Sequence, residues 1–126
     1  MKTIFLIALG GAAGSVLRYL TTRFVTNRID CANPIYGTFT ANFAGCLAIG
    51  IIFGLAERYS WFSTSLRQLL VVGFCGGYTT FSAFALENLN LLRTGNYAAA
   101  FLSISASVVL CIAATFVGIA IVNVVS

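Results

Sequence analysis

The sequence predicts an all-α membrane protein of four transmembrane helices, with the third helix broken near its middle. Three observations carry this reading. Of 126 residues, 60% are hydrophobic and 8% charged, where a soluble domain would carry about a quarter charged residues. The apolar residues fall into four runs, each long enough to cross a bilayer core, which takes about 20 residues of helix. In the third run stands GGYTTFSAF, Gly76 to Phe84, whose paired glycines, threonines and serine are poor material for a lipid-facing helix. Non-helical backbone at that depth survives only where protein or a water-filled path satisfies it. Broken helices near the midplane mark ion or substrate sites.

The first span runs from about Thr3 to Phe24. A signal peptide also begins with a charge and an apolar run, but three more spans follow, so this one is read as a retained helix. The second runs from about Ile35 to Ala56, opened by Asn33-Pro34 as an N-cap with proline at the first helical position. The third runs from about Leu66 to Leu92, and Thr94-Gly95-Asn96 is a tight connection to the fourth, from Tyr97 to Val125. Residues 1–126 are thus read as one four-helix transmembrane domain with no room for a separate soluble one. Gly10 and Gly14 stand four apart, as do Gly50 and Gly54, and such spacing lets helix backbones approach closely in lipid. Four short helices enclose little by themselves, so a homo-oligomer is expected; packing within one monomer is the alternative use of the glycines.

The composition excludes most chemistry. There is no histidine, hence no usual proton shuttle and no commonest metal ligand. Cys31, Cys46, Cys75 and Cys111 are scattered without metal-ligand spacing, so neither a disulfide nor zinc is expected. The few acids form no catalytic pair, and the chain is not read as an enzyme. Charge also leaves orientation undecided. With four spans, Lys2, Arg58 and Arg67 share one side, and Arg23, Arg28 and Arg93 the other. Topology follows a Lys/Arg excess, and here there is almost none. Insertion in both orientations, with antiparallel pairing, is the favoured reading over a weakly biased single orientation.

Polar residues inside spans tend to face the bundle interior and to be functional. Asn42, with Thr38 one turn earlier, is either interhelical glue or an amide donor to an anion. Ser103, Ser107, Cys111 and Thr115 recur every four residues and share a helix face. The stripe either lines a hydrated path or bonds back to its own helix. Phe81 and Phe84 share a face as well; their positive ring edges could meet an anion, although packing is the commoner use of such a pair. Glu87 follows on that face, at a vestibule or snorkelling to the interface. Arg18 is the clear intramembrane cation, serving a vestibule or anchoring the first helix against carbonyls freed at the break.

These motifs resemble those of the bacterial Fluc (CrcB) fluoride channels over the whole length. GGAAGSVLRY at Gly10 to Tyr19 is similar to the family's first-helix GxxGxxxRY pattern, and GTFTANFAGC at Gly37 to Cys46 to its G-T-x-x-x-N-x-x-G pattern. GFCGGYTTFSAF at Gly73 to Phe84 resembles the specific GxxGGxTTFSTF signature, with Ala83 where threonine is frequent. The fourth helix matches less distinctively. The resemblance implies a passive fluoride-selective channel of the bacterial inner membrane, an antiparallel dual-topology homodimer with two pores. Its partners would be fluoride, a second copy and the bilayer, with no nucleic acid. It further implies Asn42, Phe81, Phe84, Ser82, Ser107 and Thr115 along the fluoride pathway, the two phenylalanines of one pore coming from different subunits. A structural Na⁺ on the dimer dyad would be held by the backbone carbonyls of Gly76 and Thr79. Arg18, Thr38 and Glu87 remain vestibule or structural candidates.

Two rivals share the length and the balanced charge. A small dual-topology, proton-coupled multidrug exporter needs a membrane-embedded acid, for which Glu87 is the sole candidate. A non-transporting assembly protein would explain the glycines but not the polar break.

Overall fold

The computed structural model describes residues 1–29 and 33–126. Cys31 lies outside them. The described residues contain four helical spans long and apolar enough to cross a membrane: Lys2–Ile29, Ile35–Arg58, Thr64–Arg93 and Tyr97–Val125. The first is longer than the sequence suggests. At about 1.5 Å per residue it outreaches a hydrocarbon core of about 30 Å, so its last turns reach the headgroup layer. There the Arg28 guanidinium sits 5.0 Å from the centre of the Phe24 ring.

The helix ends follow local chemistry. The second span starts where Asn33-Pro34 predicts, but one residue later in detail: Pro34, not Asn33, stands at the N-cap, and Asn33 accepts from the Ile35 amide at 3.1 Å from the position before it. Ser63 caps the third span, accepting from the Leu66 amide at 3.1 Å, which starts it two residues before the predicted Leu66. The third span ends in a Schellman arrangement: Asn96 N–H donates to the Leu91 carbonyl at 2.8 Å and Gly95 N–H to that of Leu92 at 3.2 Å. This geometry puts Gly95 at φ +80°, a conformation that glycine adopts without steric cost.

The third span is broken within Gly76 to Phe84 as expected, but the paired glycines that suggest the break are not its extended part. Gln68–Cys75 is wound as a π-helix, and Gly76–Tyr78 continues as a helical turn. The chain becomes extended only at Thr79 (φ −81°, ψ 155°) and Thr80 (φ −147°, ψ 120°), before Phe81–Arg93 resumes the helix. The physical reason is packing. The glycines before the break serve close approach, not unwinding: a Cβ on Gly77 would run into the Gly11 backbone, and one on Gly73 into the Ile7 carbonyl and Gly10.

Two glycine seams hold the bundle. In one, Gly10 and Gly14 of the first span lie against the backbone of Leu69, Phe74 and Tyr78 in the third. In the other, Gly50 of the second span abuts the Thr115 carbonyl, and Gly118 of the fourth abuts Leu47 and Ile51. Gly54 packs on the Val122 side chain. Both predicted glycine pairs are therefore spent inside the chain, the use the sequence left as the alternative, and they argue nothing about a second copy.

Neighbouring glycines of the first seam should respond differently to a methyl. Gly14→Ala places a Cβ on the Phe74 carbonyl and 2.8 Å from the Tyr78 nitrogen, whereas at Gly11 the nearest atom it would meet is the Gly73 carbonyl oxygen, 3.8 Å away. Gly14→Ala should destabilise the protein by about 1–3 kcal/mol and lower its melting temperature in detergent, while Gly11→Ala should leave it nearly unchanged.

Candidate functional site

The break is clasped from the second span. Thr80 N–H donates to Asn42 Oδ1 at 2.7 Å, and Asn42 Nδ2 donates to the Thr80 carbonyl at 3.0 Å. One side-chain amide thus satisfies both backbone groups of an extended residue at bilayer depth. Thr80 then caps the resumed helix, its hydroxyl accepting from Ala83 N–H at 3.3 Å. Thr79 turns its hydroxyl back to the Cys75 carbonyl at 2.9 Å, and its methyl fills the space over Gly45.

These bonds leave other groups without partners. A continuing helix would send Thr80 N–H to the Gly76 carbonyl and Ala83 N–H to that of Thr79. Asn42 takes the first donor and the Thr80 hydroxyl takes the second. Among the described residues, the Gly76 and Thr79 carbonyls receive no hydrogen bond from the chain. Gly76 is exposed and Thr79 half-buried.

Beside the break lies a cavity of about 350 Å³ between the second, third and fourth spans. It is bordered by Asn42, Thr79, Thr80, Phe81, Phe84 and Ser107, with Gly76 and three cysteines also on its wall. The Phe81 and Phe84 rings are 5.5 Å apart at 43°. Phe81 is 79% exposed, so most of this ring is uncovered in the single chain. Ser107 is half-buried, and its hydroxyl bonds to nothing among the described residues.

The other predicted residues lie apart from this cavity. Ser82 is exposed, its hydroxyl 3.3 Å from that of Thr80. Thr115 directs its hydroxyl to two carbonyls, Cys46 at 3.1 Å and Cys111 at 3.2 Å. Ser103 borders a separate apolar cavity of about 460 Å³ with Tyr36, Phe39 and Leu91. The four-residue stripe on the fourth span is thus divided between two cavities and an interhelical bond.

Glu87 does not snorkel. Its Oε1 accepts from the buried Thr38 hydroxyl at 2.6 Å, while Oε2 is buried without a partner among the described residues. Asn88, 4% exposed, donates to the Phe84 carbonyl at 2.8 Å, and its own oxygen has no partner among the described residues. Arg18 is half-buried, and among the described residues it makes neither an ion pair nor a bond to the carbonyls at the break. The first span reaches the break through another residue: Thr21 Oγ1 lies 3.0 Å from the Tyr78 hydroxyl. Tyr78 is buried and stacks on Phe74. Sequence reasoning passed over Thr80 and Tyr78. The Thr-Thr pair directly before a resumed apolar run was the available signal for an N-cap.

Four apolar spans, a clasped break at mid-span and a polar-edged cavity beside it define a small multi-pass membrane protein of the channel or transporter class. The comparisons with known proteins narrow that class. The family described as CrcB-like protein, Camphor Resistance (CrcB), matches residues 5–119. A protein of Flavobacterium psychrophilum named fluoride-specific ion channel FluC is 52% identical over 119 residues, covering 94% of this chain and 95% of its own. Proteins of the same name from Phocaeicola vulgatus and Rhizobium etli are each 44% identical, covering 94% and 96% of this chain and 97% and 96% of their own. The chain belongs to the CrcB family.

The clasp predicts a specific loss. Asn42→Ala strands the Thr80 N–H and carbonyl, each worth about 1–3 kcal/mol when left buried and unpaired. Hydrogen exchange at the Thr80 amide should accelerate strongly in Asn42→Ala. Asn42→Asp, which keeps the acceptor, should retain most of the protection.

Proposed function

We propose that the chain is a passive fluoride-selective channel of the bacterial inner membrane, working as an antiparallel dual-topology homodimer with two pores. The observation that carries the reading is the cavity beside the break, where Asn42, Phe81, Phe84 and Ser107 meet. The relatives named as fluoride-specific channels match nearly the whole chain, which supports the same activity here.

Fluoride enters cells as neutral HF from an acidic exterior and dissociates in the more neutral cytoplasm. The anion does not cross lipid and accumulates unless a pore releases it. An inside-negative potential drives release with about 2.3 kcal/mol per charge for every 100 mV. In this reading the anion exchanges water for weak, closely spaced donors. Among the described residues the second N–H of Asn42 is left over once the clasp is made and the Ser107 hydroxyl is unengaged, and the phenylalanine ring edges carry partial positive charge. Among the described residues no fixed cation borders the cavity, and binding weak enough to release is what conduction needs. The exposed Phe81 ring is a natural surface for the second copy to cover, and the even split of Lys and Arg between the two sides suits insertion both ways.

The carbonyls at the break fit a structural Na⁺. Gly76 and Thr79 oxygens have been freed by the clasp and the cap, and a hard cation takes oxygen ligands from unwound backbone. Bound there between two copies, the ion would supply positive charge that holds their backbones together. The exporter reading needs an embedded acid, and Glu87 is buried. However, its carboxylate is bonded to Thr38 and lies off the cavity wall, and the relatives are named channels.

Purified protein in liposomes should release fluoride rapidly, without chloride and without a proton gradient. Efflux that required a proton gradient would favour the exporter. Phe81→Ile and Phe84→Ile should each cut fluoride flux by more than about tenfold, or about 1.4 kcal/mol of barrier, with the dimer intact by cross-linking. Undiminished flux in both variants would remove the ring edges from the mechanism.

A further inference from the structure

We propose that Cys46 and Cys111 form a two-coordinate binding site for a thiophilic metal ion on the cavity wall, and that its occupation stops fluoride flow. The second half of this statement rests on the cavity being the fluoride pathway.

The two cysteines belong to different spans, yet one hydroxyl ties them together. Thr115 Oγ1 lies 3.1 Å from the Cys46 carbonyl and 3.2 Å from that of Cys111. The bond is reachable because Gly50 and Gly118 bring the second and fourth spans into backbone contact one turn further on. The thiols are free of any disulfide and only half-buried. Both border the same cavity as Phe81 and Phe84. Asn42 stands one turn before Cys46 and Ser107 one turn before Cys111, so the thiols flank the two polar groups assigned to the anion.

The donor set selects the metal. Thiolates are soft ligands that prefer soft ions. Zinc wants four ligands, and no group of three or more metal-ligating side chains converges among the described residues. A linear, two-coordinate ion suits the pair. With a divalent ion such as Hg²⁺, each thiol forms an S–metal bond and gives up its proton, and two protons leave. The product is neutral, the form a low-dielectric wall accepts most readily. A monovalent soft ion would leave a net negative charge beside an anion path. Cys75 borders the cavity too but is 2% exposed, and it serves as the control.

The test uses the full chain carrying Cys31→Ser, titrated with Hg²⁺ alone. Thiolate-to-metal charge-transfer absorption in detergent reads binding, and fluoride efflux from liposomes reads function. The expected result is one ion per chain, with affinity lowered about tenfold or more by Cys46→Ser or Cys111→Ser and unchanged by Cys75→Ser. Efflux should stop when the ion binds and return with dithiothreitol. Cys46→Ala and Cys111→Ala repeat the comparison should a serine variant fold poorly. Binding that ignores both Cys46 and Cys111, or that follows Cys75, overturns the proposal. Binding without block upholds the metal site and counts against the cavity as the pathway. Protein that conducts no fluoride before metal is added defeats the channel reading alone, because the absorption titration still decides the site.

Discussion

The pair of hydrogen bonds between the Asn42 side chain and the Thr80 backbone is the interaction on which the centre of the molecule depends. A peptide unit that leaves the helix inside a bilayer has no water to turn to, and each unpaired group costs several kcal/mol. The Asn42 amide presents a donor and an acceptor in the spacing of a peptide group, so it substitutes for a backbone partner. Once the Thr80 N–H points at Asn42, the Gly76 carbonyl loses the donor a continuous helix would give it. The cap by the Thr80 hydroxyl does the same to Thr79. Satisfying one extended residue therefore exposes two oxygens, and a polar wall appears in an otherwise apolar span. Glue and function, which look like alternatives for a membrane asparagine, are here two ends of one side chain.

The clasp works only because the spans around it are fixed. The first span locks to the N-terminal arm of the third through Gly10, Gly14, Gly73 and Gly77, and the second locks to the fourth through Gly50 and Gly118. Helix association in lipid has little hydrophobic drive and depends on close van der Waals contact. The break lies where these two pairs meet, and the cavity is the space they leave beside it. Phe81, largely uncovered, marks a surface that the single chain does not complete.

Much of this was legible in the sequence. The four spans, the start of the second at Asn33-Pro34, the turn at Gly95 and the existence of a break all follow from local rules: apolar length, the chemistry of helix ends and glycine's access to positive φ. The position of the break did not, because Gly76 and Gly77 read as unwinding residues when both stay helical and the backbone of Gly77 is needed for contact with Gly11. That contact is tertiary, and periodicity within one helix carries no trace of it. The same holds for the fourth-span stripe. Ser103, Ser107 and Thr115 share a face by spacing, but a face 12 residues long meets different neighbours along its length. Ser107 borders the cavity beside the break, Ser103 borders another, and Thr115 meets the Cys46 carbonyl. The inward turn of Glu87 toward Thr38 was equally out of reach, since the pairing joins residues of two spans.

The order of the glycine seams bears on how the molecule is made. Spans leave the ribosome in sequence, and those that pack most intimately are not consecutive: first with third, second with fourth. When the second span enters the bilayer, neither seam has its partner. The opening hairpin must wait in lipid with its glycine faces unmatched, and the second seam closes only when the last span arrives. Contacts between distant stretches of chain form late because the intervening loop must close first. Assembly thus follows insertion as a separate stage, and a chain whose synthesis stops after the second span carries half of each seam and the whole of neither.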